Sequence, residues 1–144
     1  MTRIDYYILS TQSTKERLLL ACRIVEKAFR KGHQIYVHAE DEQTATQMDR
    51  ALWSFRADSF IPHNRLGENS EAPAAVEVGS EQQPERHHDV LINLSNKIPD
   101  FFSRFNRVAE IVSQQPEILE ASRINYGFYR DRGYPMHNHD LRNR

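Results

Sequence analysis

Glycine is scarce in this chain, and it is scattered. Five glycines occur in 144 residues, at positions 32, 67, 79, 127 and 133. None falls into G-x-G-x-x-G or G-x-x-x-x-G-K-[ST], the patterns that let a backbone approach a pyrophosphate closely. The usual mode of nucleotide binding is therefore not expected, and no cofactor is. Cysteine is scarcer still. A single Cys22 permits neither an internal disulfide nor a cysteine-based zinc site, a usage that suits a reducing cytoplasm. No apolar run approaches the roughly 20 residues of a membrane span, and residues 1–7 carry no apolar signal-peptide core. An excess of one charge is missing too: 19 Lys and Arg against 20 Asp and Glu leave −1. No global field draws such a chain onto nucleic acid or an anionic membrane, so any attraction is local. These absences predict a soluble cytoplasmic protein without membrane contact, and its length fits one domain, 1–144, with one real core.

What is present alternates between strand and helix patterns. Ile4 to Leu9, rich in Ile, Tyr and Leu without a breaker, reads as a buried strand. Ser13 with Glu16 three residues on forms a capping-box signature. Leu18, Ala21, Cys22, Val25, Ala28 and Phe29 then repeat on one helical face, with Lys15, Arg23, Glu26, Lys27 and Arg30 turned away. Gly32 ends that helix, and Gln34 to Ala39 is the second strand of a βαβ unit, parallel to the first with a right-handed crossover. A further helix runs through Ala45, Met48, Asp49 and Leu52 to Trp53, followed by a short extended segment from Ser59 to Asn64. From 65 to 88 the composition turns polar, interrupted only by Val76-Glu77-Val78, which alternates like an edge strand. A mobile loop is the expectation there. Asp89 to Leu94 is the clearest core strand, Asp100 to Phe105 a short helix or turn, and Arg107 to Val112 another strand. Pro116 suits the first turn of a last helix and Gly133 the cap after it. The polar residues 135–144 read as a flexible tail. The pattern predicts an α/β layered fold on a largely parallel sheet.

Catalytic chemistry finds little support. The trio Glu40-Asp41-Glu42 either binds a metal or, more simply, complements a helix start. His87 and His88 are adjacent and would point to opposite faces, poor geometry for joint ligation. His137-x-His139 lies in the polar tail. His63 could serve as a base, but no nucleophile or orienting carboxylate is fixed beside it in the sequence. Cys22, on an apolar stripe, is a small core residue.

Two surfaces remain. On the last helix, Ile118, Ala121, Ile124, Asn125 and Phe128 fall on one side at about 100° per residue. Leu119, Arg123, Tyr126 and Arg130 fall on the other, with Val112 close by and Arg132 one turn on. Guanidinium groups beside an apolar, aromatic floor suit a peptide that ends in a hydrophobic residue with a free carboxylate. The same residues also fit an ordinary solvent face with an incidental Tyr, or a direct single-strand nucleic-acid binder. The second surface joins Trp53 to Phe60 and the following Pro62-His63-Asn64. It reads either as a protein-partner anchor or as the closing end of the core.

Ala51-Leu52-Trp53, then Ser59-Phe60-Ile61-Pro62-His63-Asn64, then Asp89-Val90-Leu91-Ile92-Asn93-Leu94, with Arg123-x-x-Tyr126-x-x-Tyr129-Arg130-x-x-Gly133-Tyr134 at the end, closely resemble the chi subunits of bacterial DNA polymerase III. The likeness covers nearly the whole chain. It implies a Rossmann-like three-layer fold without nucleotide-site residues, and a non-catalytic accessory subunit of the replication machinery. It implies the psi subunit of the clamp loader as one partner and the acidic C-terminal tail of single-stranded DNA-binding protein, ending in Pro-Phe, as another. Contact with DNA would then be only indirect. Position by position, Val112, Arg123 and Tyr126 match the family's tail pocket. Trp53 and Phe60 match its psi surface, which a chi-associated helicase is also thought to use. Leu119 and Gly127 stand where the family pattern has lysines, leaving Arg130 or Arg132 as candidates to supply the charge. A small α/β enzyme using His63 is the remaining alternative.

Overall fold

The computed structural model describes residues 1–56, 60–67 and 74–143. Its elements run β1 (Arg3–Ile8), α1 (Thr14–Arg30), β2 (Ile35–His38), α2 (Glu42–Ser54), β3 (His63–Arg65), β4 (Val76–Gly79), β5 (Val90–Asn93), a 3-10 turn (Phe102–Arg104), β6 (Arg107–Val112), α3 (Pro116–Asp131) and β7 (Met136–Asp140). The strands form one sheet in the order β3-β4-β2-β5-β6-β1-β7. Every neighbouring pair is parallel. Ser59, expected to open an extended segment, lies outside the described residues, as do 68–73 of the polar stretch.

Alternation along each strand sorts the core into two halves. Val37, Val78, Ile92 and Ile111 pack with Leu18, Ala21 and Val25 of α1 and with Met48 and Leu52 of α2. Ile4, Tyr6, Leu91, Val108 and Val112 pack on the opposite face with Phe102, Phe105 and Tyr129. The result is three layers: α1 and α2, the sheet, then α3. Burying each large apolar side chain contributes about 1.5–3 kcal/mol, which is what holds the layers together.

The helix signals act as the sequence indicates. Ser13 caps α1, its hydroxyl accepting from the Glu16 amide at 3.2 Å. Asp41 caps α2, accepting from the Thr44 amide at 2.8 Å. Pro116 occupies the first turn of α3, and Gly133 beyond its end takes φ +78, where a Cβ would be strained.

Four expectations need correction. Val76-Glu77-Val78 is not an edge strand: β4 lies between β2 and β3, with both valines fully buried, and β3 forms the edge. The polar flanks of β4 hid it. Residues 135–144 are not simply a loose tail, because Met136–Asp140 is β7, in parallel register with β1. Main-chain pairing rather than apolar burial holds this strand, so hydropathy does not register it. Its His139 ring stacks on Tyr7 at 4.4 Å, and its Nε2 lies 3.1 Å from Asp5. On α3, Ile124 is 66% exposed while Tyr129 is fully buried. A Tyr can go deep there because its hydroxyl has a partner. On α1, Glu26 turns inward rather than outward and pairs with Arg30 and Arg56.

Candidate binding cleft

α3 runs back over β1 and β6, so its first turns stand above the carboxyl ends of these strands. Between helix and sheet there is a cleft of about 360 Å³, reached by Ile8 and Val112 at the strand ends and by Leu119, Ser122, Arg123 and Tyr126 from α3. Val112 is nearly buried, and Leu119 and Tyr126 are half-buried, which gives an apolar floor that is still reachable. The Tyr126 ring is fixed edge-to-face on Tyr6 at 5.2 Å between centroids. Its hydroxyl accepts from Asn138 Nδ2 at 3.3 Å. Arg123 stands exposed at the rim, and among the described residues no carboxylate pairs with it.

Four of the five residues expected at this site therefore meet: Val112, Leu119, Arg123 and Tyr126. Arg130 does not. It lies two turns further along α3, outside the lining, with Nε 3.1 Å from Asp131. Arg132 is also elsewhere, its guanidinium 3.7 Å from the centre of the Phe128 ring. The second cation at the cleft is Arg142, which follows β7 and is held by Asp140 through Nε at 2.9 Å and Nη2 at 2.7 Å. These bonds keep the Asp140 carboxyl down at about 2. Sequence reasoning missed Arg142, and Asn138 with it, because both sit in residues read as a frayed tail. A βαβ reading of β6, α3 and a following strand would have brought them to the sheet.

The floor rests on a buried polar cluster. Glu110 of β6 is 6% exposed and receives the Tyr129 hydroxyl at 2.8 Å. Asn93 Nδ2 donates to its two oxygens at 3.2 and 3.0 Å. Burial pushes the Glu110 carboxyl up to about 7, while the bonds from Asn93 and Tyr129 and the charge of Arg17 pull the other way. Burial, with Glu110 close by, also raises the Tyr6 phenol well above its ordinary value.

The second surface lies on the opposite side of the sheet. Trp53 is 62% and Phe60 69% exposed, with ring centroids 6.1 Å apart. They do not close the core. They form an aromatic patch on solvent, backed by His63, whose ring meets Trp53 edge-on at 4.7 Å. Contrary to the sequence expectation, a carboxylate does lie beside His63, Asp49 at 3.4 Å from Nε2. The His63 side chain is only 1% exposed, however, and its Nδ1 lies 2.7 Å from the Ile61 carbonyl, so it is poorly placed to reach a substrate as a base. The acidic trio is used within the fold: Asp41 caps α2, Glu40 accepts from the Asn96 amide, and Glu42 pairs with Arg65 and Ser80. Among the described residues no cluster of three metal-ligating side chains occurs. Burial pushes the Cys22 thiol up to about 12, as suits a core residue. No helix among the described residues is long and apolar enough to cross a membrane.

A parallel α/β sheet with helices on both faces, an apolar cleft rimmed by guanidinium groups and a separate aromatic patch defines a Rossmann-like protein with two exposed surfaces of different chemistry. Comparison with known proteins narrows the class. The sequence profile of the family described as "DNA polymerase III chi subunit, HolC" matches residues 1–137. The DNA polymerase III subunit chi of Pseudomonas aeruginosa is 45% identical over 141 residues, covering 98% of each chain. Its counterpart from Escherichia coli is 30% identical over 141 residues, covering 94% of this chain and 96% of that protein. The chain belongs to the DNA polymerase III chi subunit family. Among solved structures, T4 UvsW aligns over 97% of this chain and 42% of its own, with a TM-score of 0.64 and 9% identity, a likeness of fold alone.

Proposed function

We propose that this protein is a non-catalytic, cytoplasmic accessory subunit of DNA polymerase III that acts in replication as an adaptor between two other proteins. Through the cleft beside α3 it grips the acidic C-terminal tail of single-stranded DNA-binding protein. Through Trp53 and Phe60 it binds the psi subunit, and so the clamp loader, with a chi-associated helicase as a competitor for the same patch. DNA is reached only through these partners.

The observation that carries this reading is Arg123, a guanidinium with no carboxylate partner among the described residues, at the rim of an apolar notch floored by Val112, Leu119 and Tyr126. A chain-terminal carboxylate accepts paired donors from such a group, while its terminal aromatic side chain fills the notch. The apolar part selects the last residue, and the charge adds affinity that salt weakens. Fluorescence anisotropy with a labelled acidic peptide tests it. A peptide ending in Pro-Phe should bind, and the same peptide without its terminal Phe should lose most of that affinity. Equal binding of the two would remove the cleft as the tail site.

A further inference from the structure

We propose that the acidic peptide docks as an eighth strand, parallel to β7 and paired with that strand's outer edge. This rests on the cleft being a peptide site and adds how the peptide lies.

β7 is the last strand of the sheet. Its ladder with β1 is fixed at both ends: the Ile4 amide donates to the Pro135 carbonyl and the Leu141 amide to the Ile8 carbonyl, both at 2.9 Å. In a strand, alternate residues turn their N–H and C=O to opposite neighbours. Residues 135, 137, 139 and 141 therefore serve β1. Met136, Asn138 and Asp140 turn their main-chain groups to the outer side, a row that no strand pairs among the described residues and that another chain can extend.

That free edge is continuous with the cleft. Asn138, at its middle, also lines the cleft and donates to Tyr126. Arg142, just past its end, lines the cleft as well. The direction follows from where the cleft lies. Ile8, Val112 and Arg142 all stand at the carboxyl ends of their strands, so a peptide presenting its own C-terminal carboxylate there while lying along β7 must run with β7. A strand added at the usual spacing of ~4.8 Å also keeps its alternate side chains on the α3 face, toward Arg123. Charge favours an acidic occupant. Asp140, the carboxylate on this edge, is already taken by Arg142. Asp5, behind it on β1, is shared by Arg3, Arg107 and His139.

The test is a backbone scan of the ligand with the intact protein. Tail peptides ending in Pro-Phe, each N-methylated at one successive upstream position, are titrated by calorimetry. Alternating sensitivity is expected: affinity falls about tenfold where the lost N–H faces β7 and hardly at all at the positions between. A scan without alternation, with the unmodified peptide still bound in the cleft, overturns the strand and leaves the cleft standing. Absence of binding by the unmodified peptide overturns both. Amide exchange of the protein gives a second readout. The Asn138 and Asp140 amides should slow at least about tenfold when peptide is added, since they gain partners. Unchanged exchange at both positions with peptide bound contradicts the proposal.

Discussion

The Tyr129 hydroxyl donates a 2.8 Å hydrogen bond to Glu110 Oε2, tying α3 to β6 beneath the cleft. This bond holds α3 against rolling on the sheet, at a point where both partners are buried. The cost is a carboxyl group taken out of water.

That cost makes stability depend on pH. Burial raises the Glu110 carboxyl from 4.5 to about 7. Between these values the folded protein holds a proton that the unfolded chain has released. The sign follows: this group favours the folded state most at low pH, and its contribution falls as pH rises from 4.5 through about 7, then levels off. Glu110→Gln removes the titration. The melting temperature of the Gln variant relative to the parent should therefore climb across pH 4.5–7 and flatten above. Thermal melts at a series of pH values measure this, and a difference that stays constant with pH would show that Glu110 does not titrate there.

Arg142 and Arg130 should part company. Arg142 lines the cleft and Arg130 does not. Arg142→Ala is expected to weaken a tail peptide several-fold at low salt, with the loss shrinking as salt rises, because exposed charges are screened within about 10 Å at 0.1 M. Arg130→Ala should leave affinity within about twofold, an exposed charge outside the contact having little effect. Titrations at two ionic strengths decide. The reverse ranking would return the charge to the last turn of α3.

Trp53 and Phe60 carry large apolar rings on solvent, so truncating either removes little from the core. Trp53→Ala and Phe60→Ala should each change folding stability by less than about 0.5 kcal/mol. If the patch is an interface centre, the same changes should cost about 2 kcal/mol or more in binding psi. Denaturant melts paired with psi titrations separate the two effects. A strongly destabilised variant, or one that binds psi normally, would contradict an interface role.

Much of the fold could be read from the chain because its signals are local. The period of Leu18, Ala21, Cys22 and Val25, the Ser13 cap, the acidic start of α2 at 40–42 and the apolar run Val90–Ile92 each decide their element with short-range physics. What escaped was non-local. β7 is polar and held by pairing with β1, 132 positions away between Ile4 and Met136, and no window on Met136–Asp140 carries that information. β4 was visible as alternation, but its place inside the sheet depends on β3, a three-residue strand with no apolar pattern. The cleft followed the same division. Leu119, Arg123 and Tyr126 share one helix and could be placed by angle alone. Tyr6 and Asn138 come from β1 and β7, and Arg142 from the turn after β7, so they needed the folded chain. Arg130 fell on the correct angular face but too far along the axis, since a helical wheel ignores the rise of 1.5 Å per residue.

Calorimetry of Arg123→Ala against the parent, with one acidic peptide ending in Pro-Phe, tests the proposed grip on the tail most directly. A charged hydrogen bond to the terminal carboxylate predicts a loss on the order of 1–3 kcal/mol, roughly five- to a hundredfold in Kd, with folding unchanged. Equal affinities for the two proteins would mean that Arg123 does not hold the carboxylate and would remove it from the site.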